Sequence, residues 1–323
     1  MEPVPKVMQL PPDAGGGRVT DCAYSTAGDR MATCSTSGAV RVWACGGGGG
    51  GAAGDDGAAL LHEAQVPGDP VKVAWAPAEH GTILVAATAQ GAAHVLLTGA
   101  DGQWRAGGQL ACGRGAVRDL AFAPAQHGIV VAAASDDGCV YIHEAAPAGG
   151  GAGGGGGLSW TLLSKIRACE EGPCRCVSWR GFTAGLPPLL LASAARGAKA
   201  WVYQQAFWRE ACSLESPTGA PAAALHWAPT LGRPFELAAA AYGSAVAIYR
   251  LSGSPGDLAA ERAALLAHPA PAWRVEFSAH GNALGCSLEG GGGGAAPEVW
   301  LWMPDLGGSW RAVSRIAGGG QAA

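Results

Sequence analysis

A phrase about fifty residues long recurs six times along this chain of 323 residues, and few folds accept such a repeat. The first copy runs from Val19 to Trp43: Val-Thr-Asp-Cys-Ala-Tyr-Ser, a Gly turn, Met-Ala-Thr-Cys-Ser, a second Gly turn, then Val-Arg-Val-Trp. Later copies place an aromatic at the same point, giving the series Tyr24, Trp75, Phe122, Trp179, Trp227 and Phe277. The intervals are 51, 47, 57, 48 and 50 residues, each enough for one four-stranded antiparallel sheet. A sheet of that size cannot bury a core alone, so the copies must stack. The expected fold is all-β: a propeller of six four-stranded blades over residues 18–318. A flexible segment at 1–17 precedes it and a tail at 319–323 follows.

The third copy shows the strands. Val117 to Phe122 alternates as a half-buried strand does, and Pro124 to Gly128 turns the chain. Ile129 to Ala134 is a continuous apolar run suited to burial on both faces. Asp136-Asp137-Gly138 is a hairpin turn that uses Gly for positive φ, and Val140 to His143 is the third strand. The fourth strand often opens with Trp, at Trp104, Trp160, Trp208 and Trp310. An aliphatic residue follows each by six positions, which in a regular strand puts the two on one face. The recurring Trp side chains are expected to cover blade rims, and the six aromatic anchors to pack between blades.

Glycine runs at Gly46–Gly51, Gly153–Gly157 and Gly290–Gly294 interrupt the pattern. None leads into the Lys-Ser/Thr of a nucleotide-binding loop. They are expected to be surface insertions with no binding role, tolerated because each doubling of a loop costs only about 0.6 kcal/mol.

The remaining chemistry is sparse. Charged residues make up 14% and the net charge is −4, so no basic field for nucleic acid exists. No apolar run approaches the length of a membrane span, and the start Met1-Glu2-Pro3 lacks a signal peptide's pattern. Neither membrane insertion nor export is expected, and the ten Cys are expected to be free thiols. Cys169, Cys174 and Cys176 cluster without zinc-ligand spacing, so no metal or cofactor is expected. His80 and His127 occupy equivalent turns in two copies, which argues for turn structure. Asp136 and Asp137 adjoin in one turn and should point apart. No catalytic residue is assigned, and the chain reads as a non-enzyme.

Arg30-Met-Ala-Thr-Cys-Ser35 with Val40-Arg-Val-Trp43, and Asp137 to Ala145, look like degenerate WD repeats, although neither Gly-His nor Trp-Asp occurs. These phrases, together with Ala228-Pro-Thr-Leu-Gly-Arg-Pro-Phe235, Trp273 to Phe277 and Val299-Trp-Leu-Trp302 with Trp310, resemble the Sec-thirteen/Seh-one family of WD-repeat propellers. The resemblance covers about residues 18–318, and the Leu-Gly-Arg-Pro-Phe phrase favours its Seh-one nucleoporin branch. It implies a structural scaffold in the Y-shaped complex of the nuclear pore, at the nuclear envelope, serving protein and mRNA transport. It also implies a place in a vacuolar or lysosomal complex that regulates TOR nutrient signalling. Two other readings stay open: a COPII vesicle-coat propeller resembling Sec-thirteen, and a propeller binding a peptide or histone tail in its channel.

Six whole blades leave no strand to clasp the two chain ends in one sheet. The resemblance implies a ring that stays open and is completed by β-strands from an α-helical scaffold nucleoporin, beside other Y-complex subunits. Blades one and six would then face the partner, through Val19, Trp43, Trp273, Trp302 and Trp310.

Overall fold

The second strand of each repeat explains the architecture, because in five repeats nearly every one of its residues is buried. In the computed structural model these strands are β2 (Arg30–Ser35), β6 (Ile83–Thr88), β10 (Ile129–Ser135), β14 (Leu189–Ala194) and β18 (Glu236–Tyr242). A strand apolar on both faces is stable only with a layer packed on each side. The sixth, β22 (Leu284–Leu288), alternates between buried and half-buried residues, as a strand covered on one face does.

Each second strand belongs to a four-stranded antiparallel sheet whose strands pair in chain order. Blade one is β1 (Val19–Tyr24), β2, β3 (Ala39–Ala44) and β4 (Ala59–Gln65). Blade two is β5 (Pro70–Trp75), β6, β7 (Ala92–Thr98) and β8 (Trp104–Ala111). Blade three is β9 (Val117–Phe122), β10, β11 (Cys139–Pro147) and β12 (Leu158–Arg167). Blade four is β13 (Val177–Trp179), β14, β15 (Gly197–Gln204) and β16 (Phe207–Leu214). Blade five is β17 (Ala224–Trp227), β18, β19 (Ala245–Ser254) and β20 (Asp257–Ala267). Blade six is β21 (Ala272–Phe277), β22, β23 (Glu298–Pro304) and β24 (Trp310–Ala317). The six-bladed all-β fold read from the repeat is therefore the fold observed. The structure describes Leu10 and residues 16–45, 59–99, 101–148, 157–230, 232–290 and 296–318. The expected insertions at 46–57, 149–156 and 291–294, most of the segment 1–17, and the tail 319–323 lie outside the described residues.

In blades one to five the turn after the second strand is bonded to the segment that leads into the next blade. The Gly138 carbonyl accepts the N–H groups of Ala168 and Cys169, and the Gly197 carbonyl accepts that of Ala222. Both glycines need positive φ, at 83° and 100°. A Cβ would also strike the Cys169 carbonyl oxygen at Gly138 and the Leu214 carbonyl oxygen at Gly197, so no other residue fits there.

The face assigned to the fourth strands needs correction. The register shifts by one residue in each, between Val95 and Leu96, Ile142 and His143, Ala200 and Trp201, and Leu301 and Trp302 of the partner strands. One extra residue in a strand of period two sends everything beyond it to the other face. Trp104 accordingly packs toward blade one while Leu110 packs toward blade three. Trp160 and Ile166, and likewise Trp208 and Leu214, divide between the preceding and following interfaces in the same way.

Candidate interaction site at the ring seam

Five apolar cores hold the six blades together. They lie between blades one and two, two and three, three and four, four and five, and five and six. Among the described residues, no core cluster joins blade six to blade one. The repeat itself measures the difference. The aliphatic residue near the end of the fourth strand is Leu110, Ile166, Leu214 and Leu266 in blades two to five, each buried against the next blade. In blade six it is Ile316, 41% exposed. The aromatic anchor of the first strand shows the converse. Trp75, Phe122, Trp179, Trp227 and Phe277 pack into the interface with the preceding blade. Tyr24, expected to do likewise, is 58% exposed, and among the described residues no apolar core precedes blade one.

The free face of blade six is apolar. Val299 pairs with Ile316 and Leu301 with Ser314, and these residues alternate with Trp300 and Trp302, which pack toward blade five. Val299 and Leu301 are half-buried, and Met303 and Val313 are exposed. Gly285 and Ser287 of β22 lie beside them, opposite Leu301 and Val299. These small residues make that face shallow.

The residues expected to meet a partner divide accordingly. Val19 and Trp273 are exposed, and Trp273 lines the cavity that the first strands surround. Trp43 is not available: it is 3% exposed, and its indole N–H donates to Thr33 Oγ1 at 2.9 Å. Its neighbour Met31 is buried as well, so the expected apolar exposure on blade one is confined to its edges. Trp302 and Trp310 also face away from the seam. Trp302 Nε1 donates to His268 Nε2 at 3.1 Å, and Trp310 meets Phe277 edge-on. The β-bulge reverses the face on which Trp310 was placed relative to Ile316, so Ile316 is the residue that points to the seam. The sequence signal for it was available in the series from Leu110 to Ile316.

The first strands surround a cavity of about 630 Å³ lined by Lys72, Asp119, Cys176, His226, Arg274 and Glu276, among others. Equivalent positions of the repeat hold Asp21, Lys72, Asp119, Cys176, Ala224 and Arg274. An ionic chain runs through four of them. Lys72 Nζ lies 3.5 Å from both Asp21 and Asp119, and Arg274 lies 3.7 Å from Asp21. Asp21 Oδ2 also accepts the Val73 N–H and Asp119 Oδ2 the Val177 N–H, so each carboxylate is bonded across an interface between blades. Burial pushes the Asp119 carboxyl above its usual range, against the opposing pull of Lys72 and two backbone N–H groups. For Lys72 burial pulls the ammonium down, but Asp119 and Asp21 outweigh it and leave it raised. No spacing rule applied to the sequence singled out this chain; aligning the position three residues before each aromatic anchor would have.

The other polar candidates take structural positions. Asp136 pairs with Arg118, whereas Asp137 accepts the Cys139 N–H and the Tyr141 hydroxyl, so the two carboxylates have separate partners. His80 and His127 end equivalent short 3-10 turns, Ala78–His80 and Ala125–His127. Burial pushes the Cys174 thiol up to about 12, so it is no nucleophile at neutral pH. Among the described residues, no group of three or more His, Cys, Asp or Glu is placed to hold a metal ion.

Comparison with known proteins agrees with this geometry. The family model described as WD domain, G-beta repeat, matches residues 7–44. Protein SEH1 of Arabidopsis thaliana is 30% identical over 120 residues, a match spanning 35% of this chain and 35% of that protein. Among solved structures, Sqt1 of Chaetomium thermophilum, bound to the N-terminus of ribosomal protein L10, gives a TM-score of 0.62 at 18% identity. That match covers 90% of this chain and 72% of the other. A chain of the mitotic checkpoint complex gives 0.60 at 15% identity, covering 85% and 73%. These two likenesses concern the fold. The chain is thus a six-bladed β-propeller whose first repeat matches the WD-domain model and which is similar over part of its length to SEH1, with a fold suited to protein interaction and an exposed apolar face on blade six.

Proposed function

We propose that this protein is a non-catalytic scaffold subunit of the Y-shaped complex of the nuclear pore, and that blade six receives β-strands from an α-helical scaffold nucleoporin. The exposure of Ile316, set against its buried counterparts in blades two to five, carries the docking half of this reading. A strand laid over Val299, Leu301 and Ile316 would supply the layer that every other blade already has. A strand packed on a sheet face contributes through its alternate, inward-pointing side chains, and the shallow Gly285 and Ser287 positions leave room for large ones. The likeness to SEH1 supports the pore half, and with it a role at the nuclear envelope in protein and mRNA transport, and in TOR nutrient signalling. The test is affinity purification of the tagged protein followed by mass spectrometry, beside the double variant Leu301→Lys/Ile316→Lys. Scaffold nucleoporins should accompany the unsubstituted protein and be lost from the variant, whose melting temperature stays unchanged. COPII cage proteins or histones in their place would overturn the pore assignment, and full retention by the variant would overturn the docking face.

A further inference from the structure

Closure between blades six and one rests on different physics from the other five interfaces. Among the described residues, every hydrogen bond and ion pair that spans this seam is made by Arg274. Its Nη1 donates to the Cys22 carbonyl oxygen at 3.3 Å and lies 3.7 Å from Asp21 Oδ1. The guanidinium is oriented from its own strand, where Nε lies 3.4 Å from Glu276 Oε2. On both sides of the seam the register slips just before these residues, between Ala272 and Arg274 in blade six and between Val19 and Asp21 in blade one. Such bulges re-aim side chains. The acceptor side is rigid, because Asp21 is only 6% exposed and is also held by the Val73 N–H and by Lys72. Arg274 is 34% exposed, so salt reaches it while Asp21 stays anchored.

We propose that Arg274 is an electrostatic latch, bridging blade six to the anchored Asp21 and Cys22 of blade one across a seam at which the described residues form no apolar core, and that the ring opens there when the bridge is screened or removed. Each of the other five interfaces has an apolar core that moderate salt does not weaken, even where ion pairs such as those of Lys72 also cross it. An ion pair with one partly exposed member and no such core beside it weakens as the screening length shortens. A planar fork reaches a carboxylate and a carbonyl together, which a lysine ammonium does less well. The latch does not depend on the identity of any partner, so it stands or falls apart from the pore assignment.

Hydrogen–deuterium exchange on the full chain tests it. In Arg274→Ala, amides of Val19–Tyr24 and Ala272–Phe277 should exchange about five- to tenfold faster, with Val117–Phe122 and Val177–Trp179 unchanged, as expected when one charged hydrogen bond guards a local opening. Raising NaCl toward about 1 M, where the screening length falls to about 3 Å, should move the unsubstituted protein the same way. It should add little in Arg274→Ala, while Arg274→Lys falls between. Unchanged exchange at the seam overturns the latch, as does an equal rise in all six blades. Should Arg274→Ala fail to fold, the salt series on the unsubstituted protein decides alone, and a seam insensitive to salt refutes the proposal.

Discussion

His226 ties blade five to blade six through one bond, its Nδ1 accepting the Phe277 N–H at 3.1 Å. The equivalent bond from blade four to blade five uses the Ser178 hydroxyl, which accepts the Trp227 N–H and does not titrate near neutrality. That contrast makes one interface sensitive to acid. Burial holds the His226 imidazole below its usual 6.5, with Glu276 opposing and Arg274 reinforcing that shift. A base whose folded pKa is depressed binds fewer protons folded than unfolded, so its contribution is complete above 6.5 and is lost as the pH falls below it. Protonation at Nδ1 would also set two N–H groups against each other. Stability should therefore decline below about pH 6.5, with amides of Ala272–Phe277 exposed before those of Val117–Phe122. Exchange measured at pH 7.5 and 5.5 checks the order. The decline should be shallower in His226→Asn, which keeps an acceptor without the titration; an equal decline would assign it to other histidines. Burial also lowers His143 and His268.

The outer hairpins are where insertions should cost least. Ala44 and Ala59 face each other as the final pair of β3 and β4, so the segment between them starts and ends at one place. Pro147 and Leu158 close β11 and β12 in the same way, with the Ala148 N–H donating to the Gly157 carbonyl. Strand ends already in register need only a short turn. Replacing residues 46–57 with Asn-Gly should leave the melting temperature within a few degrees, since shortening such a loop about fourfold changes closure by only about 1 kcal/mol. Partner binding should persist. A calorimetric scan with the affinity purification repeated on the shortened chain checks both, and loss of partners would make the glycine run a contact.

The whole molecule is a stack with two unlike ends. Tyr24 and Ile316 are the first and last members of two repeating series, and both are exposed where their counterparts are packed. Val299, Leu301, Met303, Val313 and Ile316 form an apolar face that water covers poorly, and faces of this kind favour association. Without a partner the purified chain should scatter light increasingly with concentration, whereas Leu301→Lys/Ile316→Lys should remain monodisperse. Light scattering across a concentration series checks this, and identical curves would mean that the face is not the cause. The sequence determined the six blades, their strand order and most of the buried second strands, because an apolar pattern repeated at a fixed interval permits only stacking. Position in that stack was decided by the tertiary structure. Tyr24 carries the repeat signal of Trp227, yet its burial depends on a neighbouring blade that its own segment cannot encode. Trp43, Trp302 and Trp310 read as surface groups by their place in the end blades, and one inserted residue per fourth strand decided which face Trp310 and Ile316 took. The ionic chain from Arg274 to Asp119 joins residues up to 253 positions apart, and proximity across that span exists only once the ring has brought the chain's two ends together.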